Sequence, residues 1–248
     1  MSLAGKSVIV TGAGSGIGAS IAERAARSGA RLCVAGRREA PLKELAARLG
    51  TPVEVVAVDV AARDAGERLV AAAMDRFGQV DAVVNNAGLA RFGKLEESAA
   101  EDFDAMLTVN VRAPADLIRC ALPQLRAHQG AVVNVSSVGG VLSMPARSAY
   151  GASKAALNSL TRSLARELAP DVRINAVLPG PVDTPLWHEA GLTENETDAL
   201  RTSLLSATPM GRFGDGDEVA RLVCFLIDPE QSGWITGALM PVDGGRTA

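Results

Sequence analysis

Residues 7–18 read Ser-Val-Ile-Val-Thr-Gly-Ala-Gly-Ser-Gly-Ile-Gly, and this stretch decides the fold. Its first five residues form a β-branched apolar run, which predicts a buried strand. The glycines that follow, Gly12, Gly16 and Gly18, have GxxxGxG spacing and not GxGxxG spacing, because Ile17 stands where the last glycine belongs. Glycines at a strand–helix junction allow a tight turn, and the free N–H groups of the helix can bind a pyrophosphate. We therefore predict a dinucleotide-binding loop, with a plain flexible turn as the alternative.

The rest of the chain repeats this alternation of short apolar runs and longer Ala/Leu-rich segments. Nearly continuous apolar runs are typical of parallel strands that are covered on both faces. The predicted strands are 7–11, 31–36, 53–58, 81–85, 131–136, 172–178 and 236–242. The predicted helices are 16–28, 39–49, 64–77, 99–127, 149–169 and 215–228. This order predicts an α/β fold, a single Rossmann-type doubly wound parallel seven-stranded sheet flanked by helices on both faces.

No repeat, low-complexity tract or linker divides the chain, so we expect one dinucleotide-binding and catalytic domain over residues 1–248. The stretch 185–212 has weak periodicity and lies between the sixth and seventh predicted strands. Long loops in compact domains are often functional, so we interpret 185–212 as a substrate-binding lid.

Composition and charge narrow the possible partners. A formal net charge of −3, without a Lys/Arg cluster, argues against a nucleic-acid partner. Cys33, Cys120 and Cys224 lie in apolar runs without CxxC spacing, and we expect them to be buried thiols in a reducing compartment. With two histidines in the chain, we expect no metal centre. The first strand begins almost at the N-terminus and no apolar run is long enough to span a membrane, so the sequence predicts a cytoplasmic protein.

Tyr150 and Lys154 are four residues apart on a predicted helix, so they share one face. A cation close to a phenol favours the phenolate and lowers the pKa of the tyrosine. Ser137, thirteen residues upstream, can donate a hydrogen bond to the oxygen whose charge changes. The three residues could interconvert an alcohol and a carbonyl, whereas a surface tyrosine and lysine are the plain alternative.

The end of the second strand indicates which nicotinamide cofactor is preferred. A site for NAD places an acidic residue here to bind the ribose hydroxyls. This chain has Gly36-Arg37-Arg38 instead, and an arginine can bind the 2′-phosphate of NADP. The sequence favours NADP, with NAD possible, and with solvated helix-capping arginines as the alternative.

Taken together, the motifs resemble the classical short-chain dehydrogenase/reductases from end to end. The matching residues are Gly12, Gly16 and Gly18; Asp59 and Val60; Asn85-Asn86-Ala87-Gly88; Asn110; Ser137, Tyr150 and Lys154; Pro179-Gly180, Val182 and Thr184; and Val242-Asp243-Gly244-Gly245. The resemblance implies a catalytic set of Asn110, Ser137, Tyr150 and Lys154. It implies a cofactor site of Gly12, Ser15, Gly16, Ile17, Gly18, Arg37, Arg38, Asp59, Val60, Asn86, Ala87, Gly88, Tyr150, Lys154, Pro179, Gly180, Val182 and Thr184.

The resemblance also implies a mechanism. A hydride passes between the nicotinamide and the carbinol carbon while Tyr150 acts as the acid or base. Lys154 lowers the pKa of the tyrosine and binds the nicotinamide ribose, and Asn110 positions a water that connects Lys154 to solvent. Structural alternatives remain for single residues: Asp59 could start a helix, Asn110 could be a buried structural amide, and Thr184 could cap its loop.

The sequence leaves the substrate open. We expect a small ketone or secondary alcohol, with 3-oxoacyl-acyl-carrier-protein reduction as the alternative and a non-catalytic nucleotide sensor as a remote one. The second activity needs a basic patch that docks an acidic carrier protein. The sequence gives weak support for such a patch, with Arg126, His128 and Arg173 as its candidates. Arg91 and Arg147 could pair with an anionic substrate, although surface solvation is the favoured account of both.

Apolar lid residues suggest a substrate with a hydrophobic portion, unless they only pack the lid onto the body. They are Leu186, Trp187, Leu192, Leu204 and Leu205, with Met144 nearby. The resemblance further implies a homotetramer formed through the 99–127 and 149–169 helices.

Overall fold

The sheet contains seven parallel strands in the order β3-β2-β1-β4-β5-β6-β7. The structure is a computed structural model that describes residues 2–187 and 190–248. The strands are β1 Ser7–Thr11, β2 Arg31–Gly36, β3 Val53–Ala57, β4 Ala82–Asn85, β5 Ala131–Val135, β6 Arg173–Pro179 and β7 Leu239–Val242. The predicted doubly wound fold is confirmed.

The central strands are largely apolar because each faces a core on both sides. Successive side chains of a strand point to opposite faces of the sheet. Accordingly, Val8 and Val10 of β1 enter one core, whereas Ile9 between them enters the other. This double coverage explains why the sequence shows continuous apolar runs and no alternation.

The helices form one layer on each face. They are α1 Gly16–Arg27, α2 Glu39–Arg48, α3 Ala65–Phe77, α4 Ala100–Leu107, α5 Ala113–Ala127, α6 Ser148–Leu168, α7 Glu194–Ser206, α8 Gly216–Ile227 and α9 Pro229–Ser232. Buried residues of α1, α2 and α8 pack in the first core, and those of α3, α5 and α6 pack in the second.

The predicted helix 99–127 is interrupted by a wider turn. Residues Thr108–Arg112 are π-helical, and the backbone N–H of Ala113 donates to the carbonyl of Thr108. Pro114 follows directly, and proline has no N–H to donate to the carbonyl of Asn110. The prediction of one uninterrupted helix is therefore wrong at the turn that carries Asn110.

The stretch 185–212 is more regular than its sequence suggests, because α7 occupies almost half of it. Thr193 caps this helix: its hydroxyl accepts from the N–H of Glu196, whose carboxylate in turn accepts from the N–H of Thr193. Two residues of the segment, 188 and 189, lie outside the described residues.

The last strand is shorter than the predicted 236–242. Gly237 has a φ of +76°, and its N–H donates to Ile174 before the strand begins at Leu239. This left-handed conformation interrupts extended backbone, so Thr236 serves as a side-chain bridge to β6 and not as a strand residue.

The three cysteines are free thiols. Cys33 and Cys224 are buried as predicted, but Cys120 is half-buried, so that prediction is wrong for Cys120. Its Sγ lies over Gly66 at the α3–α5 contact. Among the described residues, no helix combines the length and apolarity needed to cross a membrane.

A buried chain of amides fixes α6 against the sheet. The Nδ2 of Asn85 donates to Oδ1 of Asn134 at 2.9 Å, and the Nδ2 of Asn134 donates to the Thr161 hydroxyl at 2.9 Å. The hydroxyl of Thr161 donates to the carbonyl of Leu157. This connection crosses from β4 through β5 to α6, the helix on which Tyr150 and Lys154 lie.

Candidate active site

One cavity of about 570 Å³ opens at the carboxyl ends of the strands. The strand order reverses between β1 and β4, and ligands of open α/β sheets bind outside the strand ends at such a point. The cavity contains every residue predicted to bind a cofactor. Ser137, Tyr150 and Lys154 also line it, whereas Asn110 does not.

The glycine loop is packed so closely that a side chain would not fit. A Cβ on Gly18 would lie 2.2 Å from the carbonyl oxygen of Gly12 and 2.4 Å from Nδ2 of Asn86. A Cβ on Gly12 would lie 2.9 Å from Cα of Ala87. The loop backbone therefore occupies a narrow space between α1 and the segment after β4.

That segment is tied to the loop by hydrogen bonds. The hydroxyl of Thr11 accepts from the backbone N–H groups of Asn86 and Ala87, each at 3.0 Å. The side chain of Asn86 donates to the carbonyls of Thr11 and Gly12. Asn86 therefore orients the glycine loop. The sequence predicts Asn86 only as a contact to the cofactor and does not indicate this structural role.

The N-terminus of α1 suits a pyrophosphate. Its first turn carries no acidic side chain, and no side chain in the described part of the chain caps it. The first N–H groups of a helix have no partner within it and carry partial positive charge. The narrow glycine cradle and these N–H groups therefore fit a dinucleotide.

In the part of the chain that the structure describes, no acidic residue lines the cavity at the end of β2. Gly36, Arg37 and Arg38 face it together. The next acid after Arg38, Glu39, is exposed and pairs with Lys43 at 3.0 Å. This end of the cavity therefore carries two arginines, Arg37 and Arg38, and one acid, Asp59, which follows β3.

Tyr150 and Lys154 lie at the other end of the cavity, on the first two turns of α6. Both are buried, with exposures of 8% and 4%. The Nζ of Lys154 lies 5.9 Å from the centre of the Tyr150 ring and donates to the carbonyl of Val135 at 2.9 Å. Burial lowers the pKa of Lys154 to about 8, because the charged ammonium is desolvated.

The pKa of Tyr150 is raised above its ordinary value, first of all by burial of the phenol. Hydrogen bonding to the Ser137 side chain and the positive charge of Arg147 both lower it. The sequence predicts Lys154 as the cation that lowers this pKa, whereas the charge that does so here is that of Arg147.

Asn110 lies behind the cavity wall, where it is 1% exposed. Its Oδ1 accepts from the N–H of Leu89 at 2.8 Å, and its Nδ2 donates to the Leu89 carbonyl and to the hydroxyl of Ser153, each at 2.9 Å. These bonds connect the π-helical turn to the loop after β4 and to α6. The geometry matches the structural alternative stated for this residue.

The lid residues divide into two groups. Met144, Leu186, Trp187 and Leu204 line the cavity, and Nε1 of Trp187 donates to the carbonyl of Val182. Leu192 and Leu205 do not line it, so their predicted contribution to the pocket wall is wrong.

Arg147 is half-buried and lines the cavity, so surface solvation, its favoured account, is wrong. Two further residues of this region, Phe92 and Arg246, were not predicted. Phe92 lies edge-on to Tyr150, with ring centres 5.7 Å apart. Arg246 follows the turn after β7, and only the reversal of the chain at Gly244-Gly245 could have indicated that it returns to the cavity.

Comparisons with known proteins agree with this geometry. Residues 12–247 match the family model described as enoyl-(acyl carrier protein) reductase. An uncharacterised oxidoreductase of Thermotoga maritima is 39% identical over the full length of both chains. A 3-oxoacyl-acyl-carrier-protein reductase of the same organism is 35% identical over 99% of both.

Two solved structures are also similar to this chain. The 3-ketoacyl-(acyl-carrier-protein) reductase of Brucella melitensis, complexed with NADH, superposes with a TM-score of 0.91 at 33% identity and full coverage of both chains. A dehydrogenase/reductase of Sinorhizobium meliloti has the same TM-score at 34% identity, over the whole of this chain and 97% of that one.

The fold and the cavity define a nicotinamide-dependent oxidoreductase of the Rossmann class. The chain belongs to the short-chain dehydrogenase/reductase family, as its sequence motifs predict.

Proposed function

We propose that the chain transfers a hydride between NADP(H) and a small ketone or secondary alcohol with an apolar portion. The observation that carries this proposal is the position of Tyr150, Ser137 and Lys154 at one end of a cavity whose other end is the glycine loop. Met144 and three apolar lid residues, Leu186, Trp187 and Leu204, line the wall beside them, which suits a substrate with a hydrophobic portion.

In this proposal each side chain has a distinct task. When bound, the nicotinamide supplies or accepts the hydride. Ser137 donates a hydrogen bond to the carbonyl oxygen, and Tyr150 donates its phenolic proton to the oxygen as negative charge develops. Lys154 binds the ribose and stabilises the phenolate that remains. Asn110 acts as a positioning residue that holds the Leu89 backbone, and we propose that it also positions the water that connects Lys154 to solvent, as the resemblance implies.

The Tyr150→Phe variant tests the proposal, because it removes the proton and keeps the ring that packs on Phe92. We expect turnover of ketones to fall by about 10³-fold or more, since general acid catalysis contributes roughly 10²–10⁴-fold. Cofactor affinity, measured by nucleotide fluorescence, should stay largely intact, because the other residues of the cofactor site are unchanged. Turnover close to that of the wild type would refute the assignment.

The preference for NADP over NAD rests on the positive end of the cavity at Arg37 and Arg38. We expect Arg37→Leu to lower kcat/KM for NADPH by about 10- to 100-fold, the value of a charged hydrogen bond, and to leave NADH unaffected. Initial rates with both nucleotides measure this ratio. An equal loss with both nucleotides would contradict a contact to the 2′-phosphate.

A second candidate is the reduction of 3-oxoacyl thioesters, because one similar protein and one similar structure have that activity in their names. The patch predicted to dock an acyl carrier protein, Arg126, His128 and Arg173, gives this candidate little support. Arg173 donates to the carbonyls of Leu226 and Ile227 and is engaged in fixing α8. Faster turnover of acyl thioesters than of simple ketones would favour this candidate.

Three expectations from the sequence stay proposals. We propose that 185–212 is the substrate lid of a domain that spans 1–248, because Leu186, Trp187 and Leu204 of this segment line the cavity. We propose a homotetramer, which sedimentation in solution would test.

We also propose a cytoplasmic location. Three free thiols support it, because thiols persist in a reducing compartment.

A further inference from the structure

The cavity next to Tyr150 has an excess of positive charge. Arg91, Arg147 and Arg246 line it, and they come from three separate segments of the chain. Asp102 lies 3.7 Å from Arg91. Within residues 2–187 and 190–248, in contrast, no carboxylate forms an ion pair with Arg147 or Arg246.

Arg147 is held close to the reacting end of the site. It is the N-cap residue of α6 and precedes Tyr150 by three residues, a spacing that places two side chains on neighbouring positions of a helix face. Its guanidinium carbon lies 5.8 Å from the centre of the Phe92 ring, and that ring contacts Tyr150 edge-on. An aromatic face therefore orients the guanidinium beside the phenol.

Arg246 supplies a second positive charge to the same region. Its Nη1 donates to the carbonyl of Ala207 at 3.1 Å, which fixes the side chain across the end of α7. The acid of this turn, Asp243, accepts from the backbone N–H groups of Gly245 and Thr247 and from the Thr247 hydroxyl. The carboxylate of Asp243 is therefore engaged within its own turn.

The two guanidiniums repel each other. Burial lowers the pKa of Arg147, and the charge of Arg246 lowers it further. Two like charges in a half-buried wall are unfavourable unless a negative group lies between them. Such an uncompensated pair in a cleft indicates a site for an anion.

We propose that the substrate carries an anionic group, a carboxylate or a phosphate, a few atoms from its reacting carbon, and that Arg147 and Arg246 bind this group. Arginine forms bidentate hydrogen bonds with both kinds of anion. The inference rests on the proposed function, and it narrows the substrate class from small ketones in general to anionic ones.

The test compares three ketones of one carbon skeleton: an oxo acid, its methyl ester, and a ketone with a phosphate ester at the same distance from the carbonyl. Each is measured with wild type, Arg147→Met and Arg246→Met. Methionine keeps an apolar stem of similar length without charge. Arg76→Met is the matched control, because Arg76 is an exposed arginine at the end of α3 that does not line the cavity.

We expect wild type to prefer at least one of the two anionic ketones over the ester. Each of Arg147→Met and Arg246→Met should lower kcat/KM for that anion by about 10- to 100-fold, the value of a charged hydrogen bond, mainly through KM. Arg246→Met should leave reduction of the ester little affected. Arg147→Met also raises the pKa of Tyr150, so its effect on binding is read from the ratio of kcat/KM for the anion to kcat/KM for the ester. Arg76→Met should match wild type. Arg147→Lys should recover part of the loss, because it restores the charge without the planar fork. The preferred anion identifies the source of the negative charge.

Equal turnover of ester and anions by wild type, or an equal loss for all three in the arginine variants, would overturn the inference. Either result would leave the carbonyl reductase proposal intact, because the ester would still be reduced. Failure of wild type on every ketone would instead contradict the proposed function. Unchanged cofactor affinity and unfolding midpoints confirm that each variant is folded.

Discussion

Tyr150 is the only tyrosine of the chain, so its titration can be followed directly. Burial raises its pKa above 10, and the charge of Arg147 opposes this shift. In the cofactor-free protein we expect the tyrosinate absorption to appear only above pH 10. Arg147→Met should move the titration to still higher pH, since removal of a nearby positive charge disfavours the phenolate. Near-ultraviolet difference spectra measure both curves.

The Tyr150→Phe variant is the control for that titration, because it should show no tyrosinate absorption. Titration of wild type below pH 10 would contradict the dominance of burial. An unchanged or lower pKa in Arg147→Met would show that the guanidinium does not act on the phenol.

At the scale of single residues, the sequence predicts the site where spacing along one element carries the information. Tyr150, Lys154 and the glycine loop fall into this group, and their positions in one cavity agree with the prediction. Arg246 was missed because it reaches the cavity through a chain reversal that follows β7. The three hydrogen bonds that the Asn110 side chain makes with Leu89 and Ser153 could not be predicted, because a motif does not show which neighbours the fold brings to its amide.

Among the elements, the glycine loop tolerates the least change. Gly18→Ala should destabilise the fold by about 1–3 kcal/mol, because its Cβ would overlap the carbonyl of Gly12 and the side chain of Asn86. It should also weaken cofactor binding. Urea unfolding and nucleotide titration measure the two effects.

Gly50→Ala is the matched control for Gly18→Ala. Nothing lies within 4 Å of a Cβ at Gly50, and its φ is not in the left-handed region. We expect Gly50→Ala to be neutral or stabilising by up to roughly 1 kcal/mol. Equal effects of the two substitutions would show that the close packing of Gly18 is unimportant.

The amide chain that fixes α6 makes a second element-scale prediction. Asn134→Leu leaves the buried Nδ2 of Asn85 without an acceptor, and we expect a loss of about 1–3 kcal/mol in urea unfolding. The double variant Asn85→Leu/Asn134→Leu should lose less than the sum of the two single variants, because both partners are then apolar. Additive losses would contradict the coupling.

Prediction of elements from the sequence succeeded for the strands and failed in two helical regions. Burial on both faces gives each strand a continuous apolar run, which is visible without tertiary information. The helix α7 was missed because its core face is small, although Thr193 and Glu196 form a capping box that the sequence displays. The π-helical turn depends on Pro114 and on packing around Asn110, and its apolar pattern resembles that of an ordinary helix.

The whole molecule should lose stability in alkaline solution. Burial raises the pKa of Cys33 and of Cys224 to about 12, whereas thiols of the unfolded chain titrate near 9. Their contribution to stability is fully present below pH 9 and is lost as the pH rises through about 12. Each thiol should add a slope of about −1.4 kcal/mol per pH unit within that window.

Lys154 acts in the opposite sense, because its pKa is depressed to about 8 in the folded protein. The contribution of Lys154 to the free energy of unfolding rises between pH 8 and the ordinary lysine pKa of 10.5. This rise partly offsets the loss from the two thiols, so the steepest loss of stability should come above pH 10.5. Cys33→Ala should reduce the alkaline slope in urea unfolding, and Cys120→Ala, at a half-buried thiol, should reduce it less. Equal slopes in wild type and Cys33→Ala would contradict this account.

The strand order has a consequence for the growing chain on the ribosome. β2 lies beside β1, β3 lies beside β2, and β4 returns to the other edge of β1 before β5, β6 and β7 add in sequence. Every strand after the first therefore emerges when a native neighbour has already been synthesised. The sheet can grow in the order of translation, with no strand left waiting for a partner still to be made.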